Sequence, residues 1–436
     1  MTNQNPEPRL RAGIAIRRIT PPMGGAMGGF GFRKHGSEGI RDDLYVRCLW
    51  LEHNDQRMLI IALDLAAVSC NTVAEWKDEI SRRFGLKPSE VLVNLSHTHS
   101  GPLVIERFYN KNMDVAYMSL LRTRLLEAVT EASYLEDGCS LAYGRREIQF
   151  GICRRRPNGQ GGVKWAPHPD GYVDRDLPVL QVSDRFGNPL CVLFCAAAHP
   201  SLYADYLISA DYPGVACRLV EQALGGRVMS MFLQGAAGDT KVNVNVDMAN
   251  GTWTKASSLT VQRTGRILAD GVLQVLSEDM RSVYPSLSCN LAMVQLPVAL
   301  PDDAQAYYAK MRISGIGHSQ VWADYHMARL RRGEHIANTI ACPLHGIRLT
   351  ADLYILAVGG ELTGGLAQVL RRGLQLPDLI MLGYSNGAVG YLPNAAMLAE
   401  GGYEPERSVY QGTVLPAPFT PEIDEVLLNA SKTILH

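Results

Sequence analysis

Two histidines two residues apart follow an apolar run near the start of the chain. Residues 91–102 are VLVNLSHTHSGP, in which His97 and His99 come after a strand-like segment and before a Gly-Pro turn. Because side chains alternate between faces along a strand, histidines at i and i+2 point the same way and can reach one site. Histidine is the commonest metal ligand, and α/β proteins place ligand sites at the carboxyl ends of strands. The spacing therefore predicts a metal site at the end of this strand.

Other apolar runs also end in polar or small residues. His199 follows the run LCVLFCAAA, the loop 235–239 (GAAGD) follows RVMSMFLQ, and Glu361 follows LYILAVGG. Tyr384 and Tyr391 come after a fifth run, DLIML. A hydrolytic zinc site needs about three nitrogen or oxygen ligands and an open position for water, which two histidines and one glutamate can provide. A lone buried glutamate also pairs with arginine, and a lone histidine also caps turns. It is the shared placement at strand ends that favours a metal site.

The elements that must position these residues alternate along the chain. Two pairs of apolar runs are separated by the polar turns 53–56 and 184–188, which predicts hairpins, and helical spacing predicts helices at 72–84 and 115–135. The segment 347–362 (IRLTADLYILAVGGEL) is predicted as one strand. Interleaved strands, hairpins and helices predict an α/β fold in which mixed β-sheets are sandwiched by helices, as a single domain over residues 1–436.

Composition excludes several classes of function. The 436 residues contain 42 basic and 43 acidic side chains, so no net charge favours binding to nucleic acid or to an anionic membrane. The N-terminal residues have no signal-like apolar stretch, and no apolar run approaches twenty residues. Nine cysteines without a CxxC pair fit reduced thiols. We expect a cytoplasmic protein that acts on a small molecule without stable membrane association; the oligomeric state stays open.

Several motifs, in order along the chain, resemble those of the neutral/alkaline non-lysosomal ceramidases, a family of zinc-dependent amidases. The matching segments are SHTHSGP at 96–102, AAAHPS at 196–201 with SADYPG at 209–214, LAVGGELT at 356–363, GYSNGAVGYLP at 383–393, and Gly402-Tyr403-Glu404. The resemblance extends along most of the chain and implies the fold of the ceramidase catalytic domain. Several motifs in the right order are far more specific than any one of them.

The resemblance also implies roles for individual residues. It assigns the zinc ligands to His97, His199, Glu361 and Tyr391, the last because it stands five residues after Asn386 as in the family motif. It makes His99 a catalytic residue beside the reacting oxygen, able to donate a hydrogen bond to an oxyanion or to move a proton.

Two further residues take implied or predicted roles at the same site. Arg154, in GICRRRP, falls where the family has a site-lining asparagine-arginine pair, although Cys153 replaces the asparagine. Arg154 is thus a second implied catalytic residue, and its simpler interpretation is a surface guanidinium. Tyr384 is predicted to contact substrate. The glycine-rich segments 24–36 and 157–171 are expected to shape a pocket.

The chain departs from the ceramidase pattern at two places. Where the family has a serine in a QSNAGD-like motif, this sequence has QGAAGD, with Gly235 at the serine's position and predicted at the substrate. Ceramidases also add an immunoglobulin-like C-terminal domain, whereas this sequence closes on a helix. Both departures favour a small soluble substrate over ceramide.

The prediction is therefore a zinc-dependent hydrolase that cleaves an amide bond of such a substrate through zinc-activated water. Alternatives are ester hydrolysis, a zinc-assisted lyase or isomerase, and a non-catalytic binding protein on the same fold. A shell of His, Glu and Tyr also tolerates manganese or iron.

Overall fold

The computed structural model describes residues 9–105, 113–278, 280–411 and 415–435. Its strands are β1 Leu10–Arg18, β2 Gly39–Ile40, β3 Tyr45–His53, β4 Gln56–Leu63, β5 Val91–Leu95, β6 Glu136–Glu147, β7 Gly151–Pro157, β8 Val163–His168, β9 Asp176–Ser183, β10 Pro189–Ala196, β11 Leu207–Ile208, β12 Met229–Gln234, β13 Thr240–Val242, β14 Val246–Asp247, β15 Thr252–Trp253, β16 Arg281–Val283, β17 Ser288–Pro297, β18 Thr339–Arg348, β19 Leu353–Val358, β20 Glu361–Leu362, β21 Asp378–Leu382 and β22 Tyr391–Leu392. Its α-helices are α1 Cys70–Phe84, α2 Val115–Ala132, α3 Asp211–Ala223, α4 Ser258–Ser277, α5 Ala304–Arg312, α6 Ser319–Arg331, α7 Gly364–Leu374, α8 Ala395–Glu400 and α9 Ile423–Leu435.

Two mixed sheets form the centre of the molecule. The larger sheet has the order β12-β10-β9-β6-β1-β3-β4-β5, with β16 also paired to β6, and the smaller has the order β17-β18-β19-β21. The pairs β4–β5, β10–β12 and β19–β21 are parallel, and the remaining pairs of these two sheets are antiparallel. The predicted α/β class with mixed sheets is confirmed. The single domain over 1–436 stays a prediction.

Strand alternation sorts the apolar residues into separate cores. In β4, Leu59 and Ile61 pack on one face with the residues of α1 and α2, whereas Met58 and Ile60 pack on the other face against the smaller sheet. The far side of the smaller sheet packs on α5, α6, α7 and α9. The layers are therefore helices, sheet, sheet, helices, as expected when both faces of each sheet are apolar.

Local sequence explains where the elements begin and end. In α1, the Ser69 hydroxyl accepts a hydrogen bond from the Thr72 amide at the start, and Gly85 ends the helix in the left-handed conformation. Both predicted hairpins are present as β3–β4 and β9–β10. The segment 347–362, predicted as one strand, is instead the end of β18, a turn, β19 and β20. Thr350 makes the turn because its hydroxyl accepts from the Leu353 amide.

The two histidines of the opening motif lie beyond their strand. β5 ends at Leu95, and His97 has a φ of 65°, in the left-handed region. The prediction that the pleat of a strand points both histidine side chains the same way is therefore wrong. The loop conformation, rather than the pleat of a strand, brings the two rings together. None of the helices in the described part of the chain combines the length and apolar character needed to cross a bilayer.

Candidate metal centre

His97 points one ring nitrogen into the site. Its Nδ1 lies 2.6 Å from the Ala66 carbonyl oxygen, and its backbone amide donates to Leu65. Because a carbonyl oxygen only accepts hydrogen bonds, Nδ1 is the protonated nitrogen. This backbone contact orients the ring as the outer contacts of metal-binding histidines do, and it directs Nε2 to the centre of the site.

His199 has the same arrangement after a different strand. It follows β10, its amide donates to the Thr240 carbonyl, and its Nδ1 lies 2.6 Å from the Ala237 carbonyl oxygen. Burial, followed by the charge of Arg154, lowers the pKa of His199 to about 4. The ring is therefore neutral at pH 7, with the lone pair of Nε2 directed into the site.

Glu361 lies opposite both rings. Its Oε2 is 3.3 Å from Nε2 of His97 and 3.4 Å from Nε2 of His199. Burial alone raises the pKa of Glu361, but the facing His97 and His199 rings outweigh burial and hold this pKa well below its ordinary value. The carboxylate is therefore ionised, and within the described structure its Oε2 is buried without a hydrogen-bond partner.

Nε2 of His97, Nε2 of His199 and Oε2 of Glu361 together fit a metal ion. A second proton on the His97 ring would let its Nε2 donate to Glu361. The neutral Nε2 of His199 would still face the anionic oxygen of Glu361. A divalent cation between them satisfies both nitrogens and the carboxylate together, and imidazole and carboxylate are ligands that zinc accepts. The donor set therefore passes the chemical test for a metal site.

His99 also faces this centre. Its Nε2 lies 3.1 Å from Nε2 of His97, and its Nδ1 is buried without a partner in the described part of the chain. Ligand atoms of His97, His99 and His199 lie within 4.8 Å of one another, so this triad can hold a metal ion. Burial, and then the neighbouring histidines, lower the pKa of His99 well below its usual value. Two ligand sets are thus available, and His97 and His199 belong to both.

Tyr391 is brought to the centre by backbone pairing. It lies opposite Glu361 in the two-stranded parallel pair β20–β22, although thirty positions separate them in the sequence. Its hydroxyl lies 3.4 Å from Nε2 of His199 and accepts a hydrogen bond of 3.1 Å from Nη2 of Arg154. Burial, and then the Glu361 charge, raise the pKa of Tyr391 well above its ordinary value.

Arg154 is held by a buried ion cluster. Its Nε donates to Oε1 of Glu404 at 2.7 Å, and Nη1 of Arg155 donates to Oε2 of the same carboxylate at 2.8 Å. Arg154 is 4% exposed and Glu404 is 2% exposed, so the interpretation of Arg154 as a surface guanidinium is wrong. The role of Glu404 was missed at the level of sequence, although the Gly402-Tyr403-Glu404 element contained it.

The glycine-rich segment 24–36 helps to shape the pocket at the metal centre, as predicted. His97, His99, Glu361 and Tyr391 line a cavity of about 100 Å³ together with residues of the segment 24–36. Gly29 has a φ of 87°, and a Cβ there would lie 2.5 Å from the Cα of His99. Only glycine allows this close approach of the loop to His99. Of the other glycine-rich segment, residues 163–165 belong to β8 and line a different cavity.

Two residues predicted at the substrate lie outside the lining of this cavity. A Cβ on Gly235 would meet the Cys195 Sγ at 3.1 Å and the Ala196 carbonyl oxygen at 3.2 Å, so this position packs against the end of β10. Tyr384 is 1% exposed, and its ring centroid lies 4.3 Å from that of His97. Tyr384 therefore supports the His97 ring from within the protein. Contact of either residue with substrate stays a prediction.

Comparison with known proteins places the fold. No protein-family model matches the chain, and neither does any curated protein. Among solved structures, the neutral ceramidase from Pseudomonas aeruginosa matches 98% of this chain and 74% of its own length, with a TM-score of 0.75 and 16% sequence identity. A ceramidase complexed with C2 matches 98% of this chain and 75% of its own, with a TM-score of 0.76 and 15% identity. The resemblance inferred from the motifs is thus confirmed at the level of architecture: this chain has the neutral ceramidase fold.

Proposed function

We propose that this protein is a zinc-dependent hydrolase of amide bonds in a small soluble substrate other than ceramide. The observation that carries the proposal is the convergence of the His97 and His199 Nε2 atoms on the ionised Glu361 carboxylate, with Tyr391 beside them. Both solved structures named above are ceramidases, which supports amide chemistry on this fold. Gly235 stands where the ceramidase motif has a serine, and its missing hydroxyl favours a different substrate.

The residues of the site would divide the work of hydrolysis. His97, His199, Glu361 and Tyr391 would hold the zinc ion. Bound there, zinc lowers the pKa of water and polarises a carbonyl group. His99, neutral and facing the cavity, is suited to donate a hydrogen bond to the developing oxyanion or to accept and return a proton.

Arg154 acts through Tyr391 and does not line the metal cavity. Its hydrogen bond holds the phenol oxygen beside His199, and Glu404 in turn holds the guanidinium. This makes Arg154 a positioning residue. Burial of such a chain of charge-assisted hydrogen bonds keeps the phenol in one orientation, which a metal ligand needs.

Metal content tests the ligand assignment without any substrate. Zinc measured by mass spectrometry is expected to be stoichiometric in the wild-type protein and lost in His97→Ala. His335→Ala removes an exposed histidine and is expected to retain the wild-type content. Full zinc in His97→Ala would overturn the assignment.

Hydrolysis is tested separately with 4-nitroanilide amides in water enriched in ¹⁸O. Incorporation of one labelled oxygen into the carboxylate product is the expected result. Product formed without the label would indicate elimination, and the lyase alternative would replace this proposal. A zinc-loaded protein that cleaves none of a broad amide and ester panel would favour the binding-protein alternative.

A further inference from the structure

A second cavity adjoins the metal centre on the far side of one tyrosine. It measures about 200 Å³, and Tyr403 lines both cavities. The Tyr403 ring packs edge-on against Tyr391 with centroids 5.5 Å apart, and its hydroxyl donates to Gln411, which lines the metal cavity. Tyr403 therefore borders both spaces.

Four of the nine residues that line the second cavity are cations. Arg154, Arg155, Lys164 and Arg407 line it together with a single carboxylate, Glu404. The two buried arginines are neutralised by Glu404, and Arg155 also contacts Glu400 at 2.9 Å. In the part of the chain that the structure describes, neither Lys164 nor Arg407 forms an ion pair. Positive charge therefore remains at this cavity without a protein counter-ion.

The surroundings add to this excess. Lys241 lies behind the wall formed by Trp165, with its Nζ 5.0 Å from the ring centroids of Trp165 and Trp253. Like the other two cations, Lys241 has no ion pair among the described residues. Trp165 is 51% exposed and lines the cavity, so it offers a flat apolar wall beside the cations.

One residue of the second cavity also contacts a residue of the metal centre. The Arg154 guanidinium lines the second cavity and donates to the Tyr391 hydroxyl, which in turn lies 3.4 Å from Nε2 of His199. Because Tyr403 borders both spaces, they are close enough for one elongated molecule to place one end in each.

We propose that the second cavity binds an anionic oxygen group of the substrate, a carboxylate or a phosphate, through Lys164 and Arg407. Arginine and lysine bind both groups by charge-assisted hydrogen bonds, and cations that line one cleft attract an anion together. The inference rests on the proposed amide hydrolysis and narrows its substrate class to anionic amides. It does not depend on which amide is cleaved.

Binding is measured first, since it needs no turnover. Calorimetry with glutarate, inorganic phosphate and the neutral analogue glutaramide is expected to show binding of at least one anion and at least tenfold weaker binding of glutaramide. The Lys164→Met/Arg407→Met double variant is expected to lose about tenfold in anion affinity. Arg331→Met/Lys432→Met removes two exposed cations on α6 and α9 and is expected to bind as the wild type does.

The result identifies which anion the cavity prefers. Tighter binding of phosphate than of glutarate assigns a phosphate group, and the reverse assigns a carboxylate. Anion affinity that is the same in the wild type and in the Lys164→Met/Arg407→Met variant would overturn the inference, because the anion would then be held elsewhere, for example at the metal.

Turnover separates this inference from the proposed function. The 4-nitroanilides of glutaric and pentanoic acid differ in one terminal carboxylate. The Lys164→Met/Arg407→Met variant is expected to lose at least tenfold more kcat/KM for the glutaryl than for the pentanoyl compound. Equal losses for both would overturn the anion site. Retained glutarate binding, without cleavage of these two compounds or of any member of the broad amide and ester panel, would support the anion site and refute the amide hydrolase.

Discussion

Replacing Arg154 by methionine is the most direct test of how the metal centre is supported. The wild-type guanidinium is buried, donates to Glu404 at 2.7 Å, and donates to the Tyr391 hydroxyl at 3.1 Å. Methionine preserves most of the apolar stem and removes both donors together with the charge. The Glu404 carboxylate then retains its bond to Arg155, and the Tyr391 hydroxyl loses its donor.

The expected loss of stability is about 3 kcal/mol at pH 7. Removing one member of a buried ion pair costs about 3–5 kcal/mol, and the remaining bond of Glu404 to Arg155 places this case at the lower end. Burial alone raises the pKa of Glu404, but the two arginines outweigh it and hold this pKa below its usual value. A carboxylate of depressed pKa stabilises the fold above its unfolded pKa and loses this contribution as the pH falls through the folded pKa. The difference between variant and wild type is therefore expected to shrink in acid.

Urea denaturation at neutral and acidic pH measures both effects. Arg156, the third arginine of β7, is exposed, and Arg156→Met is expected to change stability by less than about 0.5 kcal/mol. The zinc affinity of Arg154→Met is expected to fall by about 10–100-fold, as for other residues that orient a ligand. An Arg154→Met protein as stable as Arg156→Met, with the zinc affinity of the wild type, would show that Arg154 does not support the metal centre.

Three further perturbations test other parts of the structure. Zinc analysis of Glu361→Ala and His99→Ala distinguishes the two ligand sets: loss only in Glu361→Ala supports the set from the motifs, and loss only in His99→Ala supports the histidine triad. Lys77 is buried without a hydrogen-bond partner in the described structure, and burial lowers its pKa to about 7. Between pH 7 and the ordinary pKa of lysine, the unfolded chain binds more protons than the folded protein, so wild-type stability is expected to rise with pH over this range. Lys77→Met is expected to stabilise the protein by several kcal/mol at pH 7, because one pKa unit corresponds to about 1.4 kcal/mol. Denaturation curves that leave Lys77→Met no more stable than the exposed variant Lys432→Met would contradict this. Gly29→Ala is expected to destabilise the loop over His99 by about 1–3 kcal/mol and to lower zinc affinity; an unchanged melting temperature and zinc content would exclude the steric conflict.

Much of the fold was predictable because its signals are local. Apolar runs bounded by turn residues predicted both hairpins, and helical spacing predicted α1 and α2, since these patterns act over a few residues. The prediction of one strand over 347–362 is wrong because apolar residues continue on both sides of the turn between β18 and β19. The turn depends on the Thr350 hydroxyl, which is a weaker signal than glycine or proline.

The convergence of His97, His199 and Glu361 was also predictable, since each follows an apolar strand. Their orientation was not. The Ala66 and Ala237 carbonyl oxygens select the protonated nitrogen of each ring, and backbone acceptors leave no mark in a sequence. The surroundings of Gly235 were likewise not predictable, because they depend on tertiary packing. The structure places Gly235 against Cys195.

The sequence alone determined the element types, the residues able to bind a metal and the family whose motifs they resemble, because these depend on residue identity and short-range spacing. Only the tertiary structure decided which atoms meet. Backbone pairing sets Tyr391 opposite Glu361, and a buried carboxylate, Glu404, joins Arg154 to Arg155. The second cavity, too, arises where β7, β8 and the segment 402–407 come together. Contacts between distant segments follow from how the layers pack, and short-range sequence patterns do not specify them.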